Sequence, residues 1–420
     1  MMNIANKIFR GDRIIWMIFL FLCLISITEV YSASSMLTFK TSYWQPILKH
    51  TALLLVGTIL VLIVHSTSPK YFWIFIVILP FVWILLLAAK FMGQTVNEAN
   101  RYIFGFQPSE IAKLSLVSCI AYILSREKNT MSDRLRFRWI WGLTIATCFL
   151  ILLDNFSTAV ILYTVIVIMM FIGQIPFKKM GILVLVTFAF IAFIFALIWF
   201  LPETAKKVGL KRAIVGVERI KHYKEQPDIR KGNYVITKDN FQATQANIAV
   251  ARGKILGTMP GNGQQRDFLP QAYSDFIFAI IIEETGIIGG IFVLALYVFL
   301  FIRAGTIAGR CTRLFPKLLV IGSALMLVTQ ALINMSVSVG LMPVTGQPLP
   351  LVSKGGSSVI ITCIFIGIIL SVSRFENPQG VLKEEEIEAE FEEERQLTNK
   401  KGQLDTQLTN KKGQLDIQFE

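Results

Sequence analysis

Ten stretches of this 420-residue chain are apolar enough, and long enough, to cross a lipid bilayer as helices. They fall at roughly 14–31, 47–65, 71–92, 109–125, 138–153, 157–173, 180–201, 275–303, 317–342 and 356–373. A backbone inside hydrocarbon must satisfy its own N–H and C=O groups, so such runs predict α-helices. The expected fold class is all-α and polytopic: a bundle of about ten transmembrane helices with one large extracytoplasmic loop between helices 7 and 8. Composition agrees, with 54% hydrophobic and only 16% charged residues, where a soluble domain carries about 25% charged. The first run starts too late and runs too long for a signal peptide, and no small-residue cleavage site follows it, so it reads as a retained helix.

The formal charge of +13 would suggest nucleic acid on a soluble protein. Here its placement gives a different meaning. Lys7, Arg10 and Arg13, then Lys70, then Arg126 to Arg138, then Lys178 and Lys179, then Arg303 to Lys317 all fall on even-numbered loops, counting the N-terminus as zero. The positive-inside rule puts those loops, and both termini, in the cytoplasm. The loop at 202–274 breaks the pattern, with 13 basic and 6 acidic residues on the outside. Loops longer than about 60 residues translocate largely regardless of charge, so it does not overturn the topology. It is either a solvated insertion or a functional loop. The domain reading is a membrane domain over 1–373, including that loop, and an acidic, disordered cytoplasmic tail over 374–420. In the tail, QLTNKKGQLD occurs twice, at 396–405 and 407–416, a tandem 11-residue repeat. Five scattered cysteines and three histidines exclude a disulfide framework and a His-rich metal centre.

Ionisable residues at membrane helices are costly and so are functional candidates. Gln107-Pro108-Ser109-Glu110-Ile111-Ala112-Lys113 opens helix 4. Glu110 and Lys113 are three apart and share a helix face. Glu110 could simply favour the helix N-terminus while Lys113 snorkels, but Lys113 lies inside the apolar helix and not beyond its end. Asp154-Asn155 occupies a short connection, where it either caps helix 6 or belongs to a site. Asp275 opens helix 8 between aromatic residues, where burial would raise its pKa toward that of a general base; capping by the same residue is compatible. Glu283 and Glu284 lie deeper on that helix and need partners within the bundle. Finally, 340–358 holds three prolines and four glycines and ends Lys354-Gly355-Gly356-Ser357-Ser358. It reads as a re-entrant segment whose last residues open helix 10, where N–H groups can hold phosphate.

Taken together, GFQPSEIAK, LLDNFSTAV, FLPQAYSDFIFAIIIEETG and the 340–358 string resemble the signatures of the SEDS family, the FtsW/RodA polymerases of bacterial cell-wall synthesis. The resemblance covers about 100–373 and is closer to the FtsW (division) branch than to RodA (elongation). Departures are Lys354, where the family usually has Tyr, Gln271, where it usually has Glu, and Asn155 and Ser157, in a stretch more often rich in Gly and Thr. The resemblance implies a peptidoglycan glycosyltransferase that polymerises lipid II into glycan strands and releases undecaprenyl pyrophosphate. The place implied is the outer face of the bacterial cytoplasmic (inner) membrane at the division septum.

It also implies Asp275 as catalytic base, with Glu110 and Lys113 in the catalytic set. Arg101, Asp154, Gly355, Gly356, Ser357 and Ser358 would bind substrate. Asp275 or Glu110 would hold a divalent cation, Mg2+ or Mn2+, and no organic cofactor is expected. The implied partners are lipid II, a class B penicillin-binding transpeptidase of the FtsI type, other division proteins and membrane lipid, with no nucleic acid. A lipid II flippase, a RodA-type polymerase and a division scaffold are the alternatives. The flippase lacks support from internal repeats, which transporters usually show.

Overall fold

Each apolar run forms a helix. The computed structural model describes residues 10–33, 45–92, 94–96, 99–102, 105–126, 131–200, 214–216, 219, 236, 240–269 and 272–375. In chain order the helices are α1 (Arg13–Ala33), α2 (Gln45–Ser66), α3 (Ile74–Met92), α4 (Pro108–Ser125), α5 (Asp133–Leu152), α6 (Phe156–Ile172), α7 (Phe177–Phe200), α8 (Phe241–Gly253), α9 (Ile277–Arg310), α10 (Leu314–Ser338) and α11 (Gly356–Phe375). A 3-10 turn at Pro69–Trp73 leads into α3. By length and composition α1, α2, α3 with its leading turn, α4, α5, α9, α10 and α11 suffice to cross a membrane. The 17-residue α6 and 24-residue α7 are also apolar, which gives ten candidate spans among the described residues and leaves α8 as a helix of another kind.

Local chemistry sets several boundaries. Pro108 occupies the first turn of α4, where its missing N–H costs nothing. Ser132 caps α5, accepting from the Leu135 N–H at 3.4 Å. Asn155 caps α6, accepting from the Thr158 N–H at 3.3 Å. The capping role at 154–155 therefore falls to Asn155. Between α3 and α4 the chain makes a small antiparallel hairpin, β1 (Gln94–Val96) with β2 (Ala99–Tyr102), of which hydropathy gives no sign.

The most enclosed spans are α4, α10 and α11, while α2, α3 and α5 turn most of their surface outward, as lipid-facing helices should. Small residues bring α2 and α11 together. A Cβ on Gly57 would stand 2.6 Å from Cys363 Sγ, and one on Gly367 would stand 2.8 Å from Val64 Cβ. The start of α1 is tied to the end of α11 by the Asp12 N–H donating to Ser373 Oγ (3.0 Å), and to α9 by Arg303 Nε on Asp12 Oδ2 (2.6 Å).

Two expectations need correction. First, the long connection before α9 is not a bare loop: its described part contains α8, which packs on α9, and an ordered return over 254–269. Second, helix 8 is not one unbroken helix, although Glu283 and Glu284 are buried on it. It is broken at Gly286, whose φ of 74° and ψ of −178° only glycine adopts without strain. At the break the ladder is handed to the loop. The Ile287 N–H donates to Lys254 O (3.0 Å), and the Thr258 and Met259 N–H groups donate to Glu283 O and Glu284 O (2.9 Å each). Nonhelical backbone survives at such a place only where protein satisfies it. Glu283 accepts from the Gln264 and Gln265 N–H groups (3.0 and 3.2 Å), and Glu284 takes the hydroxyl of Ser32 at the end of α1. The two glutamates anchor the loop before α9 at the level where α1 ends. The last span also extends to Phe375, two residues past the expected boundary of the membrane domain.

Candidate active site

The segment read as re-entrant, 340–358, is non-helical as far as 355, and polar side chains on the helices are what hold it. Gln330 and Asn334 lie one turn apart on α10. Gln330 Nε2 donates to Pro348 O (3.0 Å), and Asn334 Nδ2 donates to Gln347 O (2.7 Å) and Asp275 O (2.8 Å). Tyr297 of α9 donates to Pro350 O (2.5 Å), and Ser26 of α1 donates to Val352 O (2.9 Å). Ser353 Oγ accepts from the Leu349 N–H (2.7 Å) and donates to Ser274 O (2.6 Å). An apolar segment without helix or sheet thus has its carbonyls paired from three different helices.

Over this segment lies a cavity of about 420 Å³. Glu110 enters it from α4, and Asp275 from the turn before α9. Gly355, Gly356, Ser357 and Ser358 line it from the start of α11, and Asn155 and Thr158 from the start of α6. Gln347 Nε2 donates to Thr158 Oγ1 (2.9 Å), closing one wall. Ser357 Oγ accepts from the Gln107 N–H (3.2 Å), fixing the starts of α4 and α11 against each other. Asp275 is half-buried, and Ser274 Oγ donates to its Oδ1 (3.0 Å). The N-cap position of α9 is Phe276, so Asp275 stands just before the helix and not at its cap.

Three cations surround these carboxylates in different ways. Lys113 is 1% exposed, with Nζ 2.9 Å from Glu110 Oε1 and 3.0 Å from Gln330 Oε1. That geometry rules out snorkelling; the lysine sits behind Glu110, not on the cavity wall. Arg219, from the basic stretch before α8, reaches the rim and donates to Val344 O (3.0 Å). Lys354 lines the cavity with Nζ 5.1 Å from the centre of the Tyr273 ring. Burial, and then the charge of Lys49, push the Lys354 pKa down. Burial, and then the charge of Asp275, push the Tyr273 phenol up.

The structure therefore brings together Asp275, Glu110 and Gly355 to Ser358, with Lys113 one layer behind. Asp154 lies apart, in an adjoining crevice with Ser157, Gly216, Arg219 and Pro343. Arg101 is on β2; its side chain, Gln271 and the 376–420 tail lie outside the described residues. Hydropathy alone gave no place to Gln330, Asn334 and Gln347. A Gln and an Asn four residues apart in an apolar span were the available signal. Among the described residues no group of three or more His, Cys, Asp or Glu could hold a metal ion. Asp275 and Glu110 both line the cavity, and Glu110 is already paired with Lys113.

Known proteins carry the same architecture. The chain is 33% identical over 299 residues to a protein of Marinobacter nauticus named as a probable peptidoglycan glycosyltransferase FtsW, covering 69% of this chain and 70% of that one. It is 32% identical over 378 residues to a protein of the same name from Haemophilus influenzae, covering 86% and 90%. Among solved structures, it shares its fold with a chain of a peptidoglycan synthase complex studied for the coordination of polymerization and crosslinking. The TM-score there is 0.66 at 22% identity, covering 88% of this chain and 99% of that one. The rod shape determining protein RodA of Thermus thermophilus gives a TM-score of 0.58 at 22% identity, covering 87% and 97%. A family model for cell cycle proteins of the FtsW, RodA and SpoVE type matches residues 12–378, and the chain accordingly belongs to that family, the SEDS proteins.

Proposed function

We propose that this protein is a peptidoglycan glycosyltransferase of the FtsW branch, polymerising lipid II at the outer face of the bacterial inner membrane during division. The observation that carries the reading is the convergence of Asp275, Glu110 and the Gly355–Ser358 turn on one cavity bounded by spans. A glycosyl transfer needs three things there. The acceptor's 4-hydroxyl must lose a proton as its oxygen bonds to the anomeric carbon. The bond from that carbon to the lipid diphosphate must break. The departing diphosphate must meet positive charge.

Asp275 is the base: its carboxylate faces the cavity, and its backbone is pinned by Asn334. Glu110, fixed by Lys113, orients the acceptor sugar. The N–H groups at the start of α11 and the rim residue Arg219 face the diphosphate. A divalent cation, if taken by Asp275 and Glu110, would supply further charge neutralisation at the leaving group.

Both termini are assigned to the cytoplasm from loop charge. The names of the curated relatives support the division branch. The synthase complex with the shared fold supports a crosslinking partner of the class B penicillin-binding type. The flippase alternative loses support, since Glu283 and Glu284 are engaged in holding the loop before α9.

The test is polymerisation of lipid II by purified protein with its transpeptidase. Asp275→Ala is expected to abolish glycan strands, a loss of at least about a hundredfold, while expression and melting temperature stay near wild type. Normal strand formation by that variant would overturn the assignment.

A further inference from the structure

Lys354 stands where the resemblance leads one to expect an uncharged Tyr, and it lines the cavity. Its placement is enforced twice. Its N–H donates to Tyr273 O (2.9 Å), and the neighbouring Ser353 hydroxyl donates to Ser274 O (2.6 Å). These two bonds fasten the Lys354 backbone to the turn that carries Asp275. The ammonium then lies on the Tyr273 face, a geometry that aromatic rings reserve for cations.

Among the described residues the ammonium has no anionic partner. Glu110 lines the same cavity but is paired with Lys113, and Asp275 takes its hydroxyl from Ser274. No carboxylate among the described residues comes within ion-pair distance of Lys354. The nearby charge of Lys49 is of the same sign and offers the ammonium no counter-charge. A half-buried ammonium on a ring face, partly stripped of water and without a carboxylate partner among the described residues, is placed to take an anion from outside.

We propose that Lys354 is a substrate-binding residue that takes a phosphate of the polyprenyl diphosphate, beside the open N–H groups at the start of α11. The assignment rests on the lipid II reading for the identity of the diphosphate, and on the geometry for its place. Ammonium to phosphate is a charge-assisted contact. It binds the leaving group before and after transfer, so its loss should appear in affinity more than in turnover.

The experiment uses the full chain in nanodiscs, with undecaprenyl diphosphate and undecaprenyl monophosphate as the two probes, alongside lipid II kinetics. Lys354→Met should weaken diphosphate binding about tenfold and monophosphate binding less. It should raise the KM for lipid II by a similar factor, with kcat within about threefold. Lys354→Arg, which keeps the charge, should restore binding to within about threefold.

Unchanged diphosphate affinity in Lys354→Met would overturn the proposal while leaving a polymerising wild type, and so the function, intact. A fall in kcat alone, without a change in KM or binding, would also overturn it. Wild-type protein that binds diphosphate through Lys354 but makes no strands would remove the function and keep the site. Should Lys354→Met not fold, Lys354→Gln and the Arg variant carry the same comparison.

Discussion

At the scale of single residues the buried pair of Glu110 and Lys113 is the most consequential, because neither partner tolerates being left alone. Breaking a buried ion pair by removing one member costs about 3–5 kcal/mol, far more than the pair itself contributes against an apolar substitute. Lys113→Met should therefore destabilise the protein strongly, and it leaves Gln330 Oε1 without its donor as well. The double variant Glu110→Gln with Lys113→Met should recover much of the melting temperature, yet not the polymerase activity. If the double variant were as active as wild type, the pair would be scaffolding alone. From the sequence, the pairing of these two was readable through their spacing. The third member was not. Lys113 and Gln330 are 217 positions apart, and no local pattern links them. The same holds for Gln347, whose contacts to Asn155 and Thr158 reach back across 192 and 189 positions.

Among the elements, α9 departs furthest from what hydropathy describes. An apolar run continuous from about 275 to 303 reads as one helix, because hydropathy registers the side chains and is blind to backbone exchange. The interruption depends on Gly286 and on Gly257 and Gly253 opposite it. A Cβ on Gly286 would stand 2.1 Å from Ile255 O, and one on Gly253 would stand 1.9 Å from Ile282 O. Such a methyl has nowhere to go, and the φ of 74° adds about 1–3 kcal/mol of strain. Gly286→Ala is expected to release the 254–266 return from α9. The melting temperature should fall by several degrees, and protease sites should open between α8 and α9. Gly142→Ala in α5, where nothing lies within 4 Å of an added Cβ, should be neutral or slightly stabilising and serves as the control. An unchanged digestion pattern in Gly286→Ala would show that the loop is held by side chains alone. Elsewhere the elements followed the sequence closely, with α4, α6 and α11 starting within one residue of the expected positions. In those three, proline, asparagine or paired glycines mark the start.

Over the whole molecule, the positive charge separates into a topological share and a functional one. The 374–420 tail carries a net −5, the rest of the membrane domain +11, almost all of it on the loops assigned to the cytoplasm, and the 202–274 stretch a net +7. The structure brings one of those cations, Arg219, to the mouth of the cavity. A cation at the mouth of the proposed anionic-lipid site raises local substrate concentration, an effect that salt screens. Arg219→Gln should raise the KM for lipid II by about threefold to tenfold at low ionic strength. The difference from wild type should shrink as salt is added, and stability should not change. A salt-independent defect would assign Arg219 to structure through its bond to Val344.

The bond between Asp12 and Ser373 has a separate implication for assembly in the membrane. It joins residues 361 positions apart, just before the first span and near the end of the last. The bundle is thereby closed like a ring whose ends meet on one side, whichever way it was inserted. Losing or gaining a single crossing would carry one of these residues across the bilayer and pull the seam apart. The contact therefore requires an even number of spans between its two residues, and a chain truncated before α11 has neither the seam nor the turn at Gly355–Ser358 that completes the cavity.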